Sequence, residues 1–489
     1  MANDLPSSMG APQARADQPR PLPPVARSGL RRGFAALEVR NYRLYWSGQV
    51  VSLIGTWMQM VSLPWLVLAL GGSPLQLGLV ATFQFLPAGV LAPFGGVLAD
   101  RVDKRRALIG TQTAAMFQAA TLFALTATGV ITIPLVMALA LWLGVVNAID
   151  MPVRQSLAAD LVPRKTLANA IALNSMAFNS ARVVGPALAG VIIAAGTVAL
   201  GSVTAGVAVN LAINTLTYSG SLTGLARMDP HAIRRHERPE RHPPVLSSLR
   251  EGVRYAADKP IVAWSLFLLG GVAAFGFNFQ ILLPLFARDV LALGAEGYGA
   301  LFATMGIGSL AGSLILAYMH QRRAVLLMLG GALLFAAFTI GLGLSRTLWL
   351  AAPLVLGAGL FSMLMINTIN ATVQANVSDR LRGRIMSLYV TVFAGSAPLG
   401  GLFAGAVAEA WGAPLAFIVG SLLSLVTAAI VAWRLRVAAA QGRLGVTRLE
   451  SGVAPDDERP PRAAASDAGL RRVAGATGAE PAPRSAARR

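Results

Sequence analysis

Twelve stretches of this chain run for about 20 residues or more with almost no ionised side chain, and no other feature constrains its folding as tightly. A helix needs about 20 apolar residues to cross ~30 Å of hydrocarbon. No water is available there to pair backbone N–H and C=O groups, so each segment must satisfy its own, as a helix does. The stretches fall at 44–70, 75–99, 107–128, 131–150, 167–195, 200–225, 261–286, 297–319, 324–344, 347–371, 385–408 and 414–434. Several hold proline (Pro64, Pro87, Pro93, Pro186, Pro284, Pro398), which spanning helices tolerate because neighbours re-satisfy the freed backbone groups. Only 13% of the residues are charged, against about 25% in a soluble domain, and 55% are apolar. An all-α membrane protein is expected.

The net charge of +19 could suggest a nucleic-acid partner, but the basic residues lie in tails and loops around apolar spans, so none is expected. Cysteine is absent, which removes disulfides and thiol chemistry. Lys104, Lys165 and Lys259 each follow a charged residue rather than glycine, so there is no phosphate-binding loop. No HExxH occurs, and His231, His236, His242 and His320 lack metal-ligand spacing. No convergent acid–base pair occupies one depth of the membrane. No catalytic residue, metal or cofactor is expected, and the chain is not read as an enzyme.

Arginine and lysine in the short loops set the orientation. Arg101, Lys104, Arg105, Arg106, Arg154, Arg164, Lys165, Arg322, Arg323, Arg380, Arg382 and Arg384 share one side, whereas the other carries Arg288 and Arg346. Both termini are expected on the cytoplasmic side of a bacterial inner membrane. A polar stretch of about forty residues precedes the first span, unlike a cleavable signal peptide. The organisation expected is an N-terminal tail, 1–40, mostly disordered; a six-helix half, 41–226; a cytoplasmic linker, 227–260; a second six-helix half, 261–436; and a disordered tail, 437–489. In the linker, Leu246, Leu249, Val253 and Ala256 recur at helical spacing, and Ser248 with Glu251 forms a capping box, so a helix on the membrane surface is expected.

The two halves resemble each other. Span four ends NAIDMPVRQ from Asn147 and span ten ends NTINATVQA from Asn367. Arg105, Arg106 and Ala107 recur as Arg322, Arg323 and Ala324, and Pro186 of span five has its counterpart in Pro398 of span eleven. Two six-helix halves repeated in parallel are a transporter architecture, with a substrate site between halves that rock. Spans one, four, seven and ten are then equivalent and face the cavity, and a single chain holding both halves is expected to act as a monomer in the bilayer.

Polar residues within the spans are candidates for that cavity. Ser52, Thr56 and Gln59 form a stripe on span one, lining either the cavity or a helix–helix contact. Asn147, Asp150, Arg154 and Asn367, Asn370, Gln374 recur at matching spacing and suggest an inner vestibule. Asn278 and Gln280 lie on neighbouring faces of span seven, so at most one points inward. Arg182 is the one full charge deep in a span, costing ~2.5–3.5 kcal/mol to insert, and acts either as a helix lock or in substrate or proton handling. No acidic residue lies mid-span, which leaves Asp100 and Asp150 as the candidates for coupling to protons.

Between spans two and three the chain reads Gly96, Val97, Leu98, Ala99, Asp100, Arg101, Val102, Asp103, Lys104, Arg105, Arg106. This resembles the signature loop of the major facilitator superfamily, with Asp103 in place of a glycine. The resemblance implies a gating role for Gly96, Asp100, Arg101, Arg105 and Arg106. In span five Arg182, Gly185, Pro186 and Gly190 look like the Gly-Pro motif of that superfamily's antiporters and exporters, with Ala189 for one of its glycines. A packing seam would use the same residues. The runs from Arg40, Ala158 and Gln374 are similar to the branch of enterobactin-type siderophore exporters and macrolide-efflux proteins, over roughly 34–436. It implies export of an amphipathic small molecule, drug or siderophore, by alternating access with proton coupling; uptake by the same fold, or a lipid flippase, are the alternatives.

Overall fold

The computed structural model describes residues 33–233, 245–319 and 324–443, with side chains at 92–101, 245–249 and 379–380 left out. The tails before Gly33 and after Arg443, Arg322 with Arg323, the surroundings of Gly96, and the side chains of Asp100, Arg101, Leu246, Ser248, Leu249 and Arg380 thus lie outside the description.

Thirteen helices make up almost all of what is described: α1 (Arg40–Ala69), α2 (Pro74–Arg101), α3 (Lys104–Ala127), α4 (Ile133–Asp160), α5 (Arg164–Leu200), α6 (Val203–Ala226), α7 (Val245–Asp258), α8 (Pro260–Phe275), α9 (Phe279–Asp289), α10 (Ala295–Tyr318), α11 (Ala324–Leu344), α12 (Leu348–Ala375) and α13 (Asp379–Ala440). Ten segments are long and apolar enough to cross a membrane, with α8 and α9 counted together. α13 is two limbs, because Gly412 sits at φ 81° and ψ 163°, open only to glycine, and Pro414 follows it. α6 falls outside those ten, and Asn210 and Asn214, both fully buried, lower its hydropathy. With both limbs and α6 included, the spans are twelve. Val191, Leu216, Leu326 and Leu399 stand more than half exposed, as residues meeting lipid should.

Two expectations need correction, one in span seven and one at the end of the last span. Span seven, expected as one helix over 261–286, is broken between α8 and α9. Asn278 lies at the break, where its amide donates to the carbonyls of Ala274 (2.9 Å) and Phe275 (3.3 Å), satisfying groups the interrupted helix leaves open. A side chain at Gly276 would meet Phe335 Cε1 at 2.7 Å, so only glycine lets the turn sit there. Ahead of α1, within the mostly disordered tail expected over 1–40, Ala35–Glu38 form a 3-10 turn, and Asn169 on α5 accepts from Ala36 N (2.8 Å) and donates to Gly33 O (2.5 Å). At the other end α13 continues past 437 to Ala440. The linker helix is present as α7, where Glu251 pairs with Arg384 of α13.

α1 packs on α5 and α6, α2 on α4, and α3 on α4 and α6; in the second half α12 packs on α10 and α11, and α13 on α8 and α11. The extensive contacts between halves are α2 with α13 and α5 with α10.

Small residues permit this closeness. A Cβ at Gly308 would run into the Leu356 carbonyl and come within 3.1 Å of Leu360 N, whereas one at Gly330 meets nothing within 4 Å. Gly308→Leu should therefore abolish the monodisperse protein peak on size-exclusion chromatography in detergent, and Gly330→Leu should leave it intact.

Candidate translocation site

The α2–α3 loop defines one end of the bundle, here the motif end; the α1–α2 loop lies at the far end. Toward the far end the halves meet backbone to backbone along two seams. On α2, Thr82 donates to Pro398 O across the halves (3.1 Å), and Gly405 of α13 is so close to Pro74 that a Cβ would lie 2.9 Å from its carbonyl. Farther along, a Cβ on Gly89 would lie 3.0 Å from Gly395 Cα. Glu409 accepts from Leu75 N (3.0 Å), so a carboxylate of one half caps an orphan donor at the start of α2 in the other. Deeper in, Gln280 reaches Gln84 at 3.5 Å, the limit of a hydrogen bond.

The second seam uses the Gly-Pro motif. A Cβ on Gly190 would lie 2.8 Å from Ala295 O and 3.2 Å from Gly299 Cα; one on Gly299 would lie 2.5 Å from Pro186 O. Gly185 turns the other way, toward α1, where a Cβ would meet Trp57 Cβ at 2.5 Å. Pro186 and Gly190 thus bind the halves together, and Gly185 binds α5 within its own half.

An aromatic ladder crosses between the halves beside this seam. Phe178 on α5 lies edge-on to Trp57 of α1 (5.5 Å between centroids), and Trp57 neighbours Phe302 of α10 (6.3 Å). Phe302 meets Tyr298 at 5.9 Å, and Tyr298 stacks on Trp65 of α1, 5.9 Å apart and 16° from parallel. Arg182 joins the ladder with its guanidinium 5.8 Å from the Trp57 ring centroid. It is 6% exposed, and its Nε is sealed without a hydrogen-bond partner.

The polar stripe of span one faces the interior of its own half. Ser52 donates to Gln112 (3.3 Å); Gln59 donates to Gln118 (3.2 Å) and accepts from Asn214 (2.5 Å); Thr56 donates to Ser52 O (2.9 Å). Of the two readings, these bonds match helix packing, since Ser52 and Gln59 are buried between α1, α3 and α6. The same thread continues to Asp150, 2% exposed, which accepts from Thr111 (2.7 Å), from Gln112 (2.9 Å) and from Arg154, with which it forms an ion pair one turn apart. The equivalent positions in the second half pair likewise with amides: Gln374 donates to Asn370 at 2.5 Å. Asn367 donates to Ser313 (3.0 Å), whereas Asn147 is half-buried. Asn278 serves the α8–α9 break, so on span seven it is Gln280 that reaches toward the other half.

At the motif end Asp103 has the role of a helix cap: it precedes α3 and accepts from Arg106 N (3.0 Å), which suits an aspartate better than the glycine of the signature. Arg105 donates to the last carbonyls of α6, at Leu225 (2.8 Å) and Ala226 (3.0 Å), where a cation complements the helix end. Lys104 pairs with Asp160 at the end of α4 (2.5 Å). Trp57, Tyr298, Glu409, Gln84, Gln112, Gln118 and Asn214 escape the sequence reading, although the amides in apolar spans were a visible signal.

Helix halves joined by close seams, with a broken helix in span seven, define a membrane transporter of the major facilitator fold. The chain belongs to the transmembrane secretion effector family, whose model matches residues 31–449. It is 24% identical over 381 residues to the staphyloferrin A transporter of Staphylococcus aureus (strain NCTC 8325 / PS 47), covering 76% of this chain and 90% of that one. Its fold is similar to a bacterial homologue of the human lysosomal transporter Spinster in an inward-facing, unoccupied conformation (TM-score 0.62, 18% identity, 84% of this chain and 98% of that). It is also similar to a POT family transporter in complex with a thioalcohol-conjugated peptide (TM-score 0.64, 11% identity, 82% and 96%).

Removing one partner of a buried ion pair costs about 3–5 kcal/mol, because the other charge is left uncompensated. Asp150→Asn alone should lower the thermal unfolding midpoint of the purified protein. Asp150→Asn with Arg154→Gln, which copies the Asn370–Gln374 pair, should recover most of the loss; a double variant as unstable as the single would contradict the equivalence.

Proposed function

We propose that this transporter exports an amphipathic small molecule of the drug or siderophore class across the inner membrane, by alternating access coupled to the proton gradient. The observation that carries the reading is the pair of glycine seams. They close the far end through van der Waals contact and a few hydrogen bonds, which two six-helix halves, 41–226 and 261–436, can make and break as they rock. With the motif end cytoplasmic, as the positive loops favour, a closed far end leaves substrate access from inside. Secretion in the family description supports the outward direction, and the relative's name supports the siderophore class. The gate of the opposite state is assigned to Gly96, Asp100, Arg101, Arg105 and Arg106, and the proton role to Asp100 or Asp150. The chain works as a monomer with both termini in the cytoplasm.

The test is efflux from intact cells lacking their own exporters, preloaded with a panel of lipophilic drugs and siderophores. Export should collapse when a protonophore is added and should slow with Asp100→Asn. Faster inward accumulation instead would reverse the direction, and turnover unchanged by Asp100→Asn would remove the gate.

A further inference from the structure

Arg182 is a full positive charge that, among the described residues, no opposite charge meets. The residue is 6% exposed, its Nε has no partner, and among the described residues no carboxylate pairs with it. An acidic residue on the same seam, Glu296, packs beside Gly190, eight residues along α5, about 12 Å at the helical rise. A helix lock would be expected to end in carbonyls or a carboxylate, since arginine offers five donors in a planar fork. Among the described residues its charge meets the Trp57 face, at 5.8 Å, near the outer limit of about 6 Å for such contacts. That contact supplies no hydrogen-bond acceptor, and the guanidinium donors are the groups that grip carboxylates in pairs of parallel hydrogen bonds.

The surroundings suit an anion carried on an apolar body. The Trp57 ring that meets this charge is flanked by Phe178 at 5.5 Å and by Phe302 of the other half at 6.3 Å, and Phe178 is 44% exposed. The backbone of Arg182 lies on the seam itself, since a Cβ at Gly306 of α10 would come within 3.0 Å of its carbonyl. A ligand held here would touch the place where the halves part.

We infer that Arg182, with Trp57 and Phe178, is the binding site for a carboxylate group of the transported molecule, so that the substrate is an organic anion with an apolar or aromatic portion. This rests on the exporter reading only for calling the ligand a substrate. Binding at equilibrium tests the site apart from transport.

Titration calorimetry on the purified full-length protein in nanodiscs would use benzoate, 1-naphthoate and citrate, with benzamide and 1-naphthamide as neutral counterparts. At least one carboxylate should bind the native protein, tenfold or more tighter than its amide where one exists. Arg182→Gln should weaken that carboxylate at least tenfold and leave the amide unchanged, and Arg182→Lys should fall between. The site is overturned if no carboxylate binds the native protein, if carboxylate and amide bind it equally, or if Arg182→Gln binds the carboxylate with native affinity. Should Arg182→Gln not yield folded protein, the native preference and Arg182→Lys still decide. Intact carboxylate binding in a protein that exports nothing would refute the export reading and leave the site standing.

Discussion

Everything in this molecule depends on how closely two helices can approach in a solvent as apolar as their own side chains. In hydrocarbon there is no hydrophobic gain from bringing helices together, so association rests on dispersion contacts, which fade within an ångström of separation. Gly190 against Gly299, and Gly405 against Pro74, remove the side chains that would hold the backbones apart. Because these contacts are shallow and numerous, they hold the halves without committing them. The hydrogen bonds across the seams add register: Thr82 to Pro398, and Glu409 to the start of α2.

Polarity is distributed with similar economy. The first half carries a thread of buried amides and hydroxyls from Asp150 through Gln112 and Ser52, and on to Gln59 and Asn214. Each member finds a partner on another helix, so the thread fixes the order of α1, α3, α4 and α6 within their half. The second half keeps the geometry at Asn370 and Gln374 and discards the charge. One duplicated motif therefore appears once as an ion pair and once as an amide pair, and a titratable group survives in only one half.

The spans were legible because the hydrocarbon demands long charge-free runs, but helices that carry on past the apolar run were cut short, as in span four, expected to stop at 150 and reaching Asp160. The break in span seven was not legible, because Gly276 and Asn278 lie within a run as apolar as the other spans; a side chain at Gly276 would run into Phe335, a contact visible only in three dimensions. The polar stripe of α1 could be seen, but its direction could not, since a stripe of the same period suits a cavity or a neighbouring helix; Gln112 and Gln118 on α3 decide it. The Gly-Pro motif was recognisable, yet only three dimensions separate Gly185, turned to α1, from Gly190, turned to α10. Trp57 gave no sign in sequence, since aromatic residues are common in any membrane span.

The ladder between α1 and α10 contains one hydroxyl with nothing to bond. Tyr298 is fully buried against Trp65, and its oxygen has no partner. Leaving such a group dry costs about 1–3 kcal/mol. Parting α1 from α10 would wet it and return that energy, offsetting part of the stacking lost. The closed far end thus carries its own counterweight, a small standing penalty that keeps the two arrangements close enough in energy for a bound molecule or a proton to tip the balance.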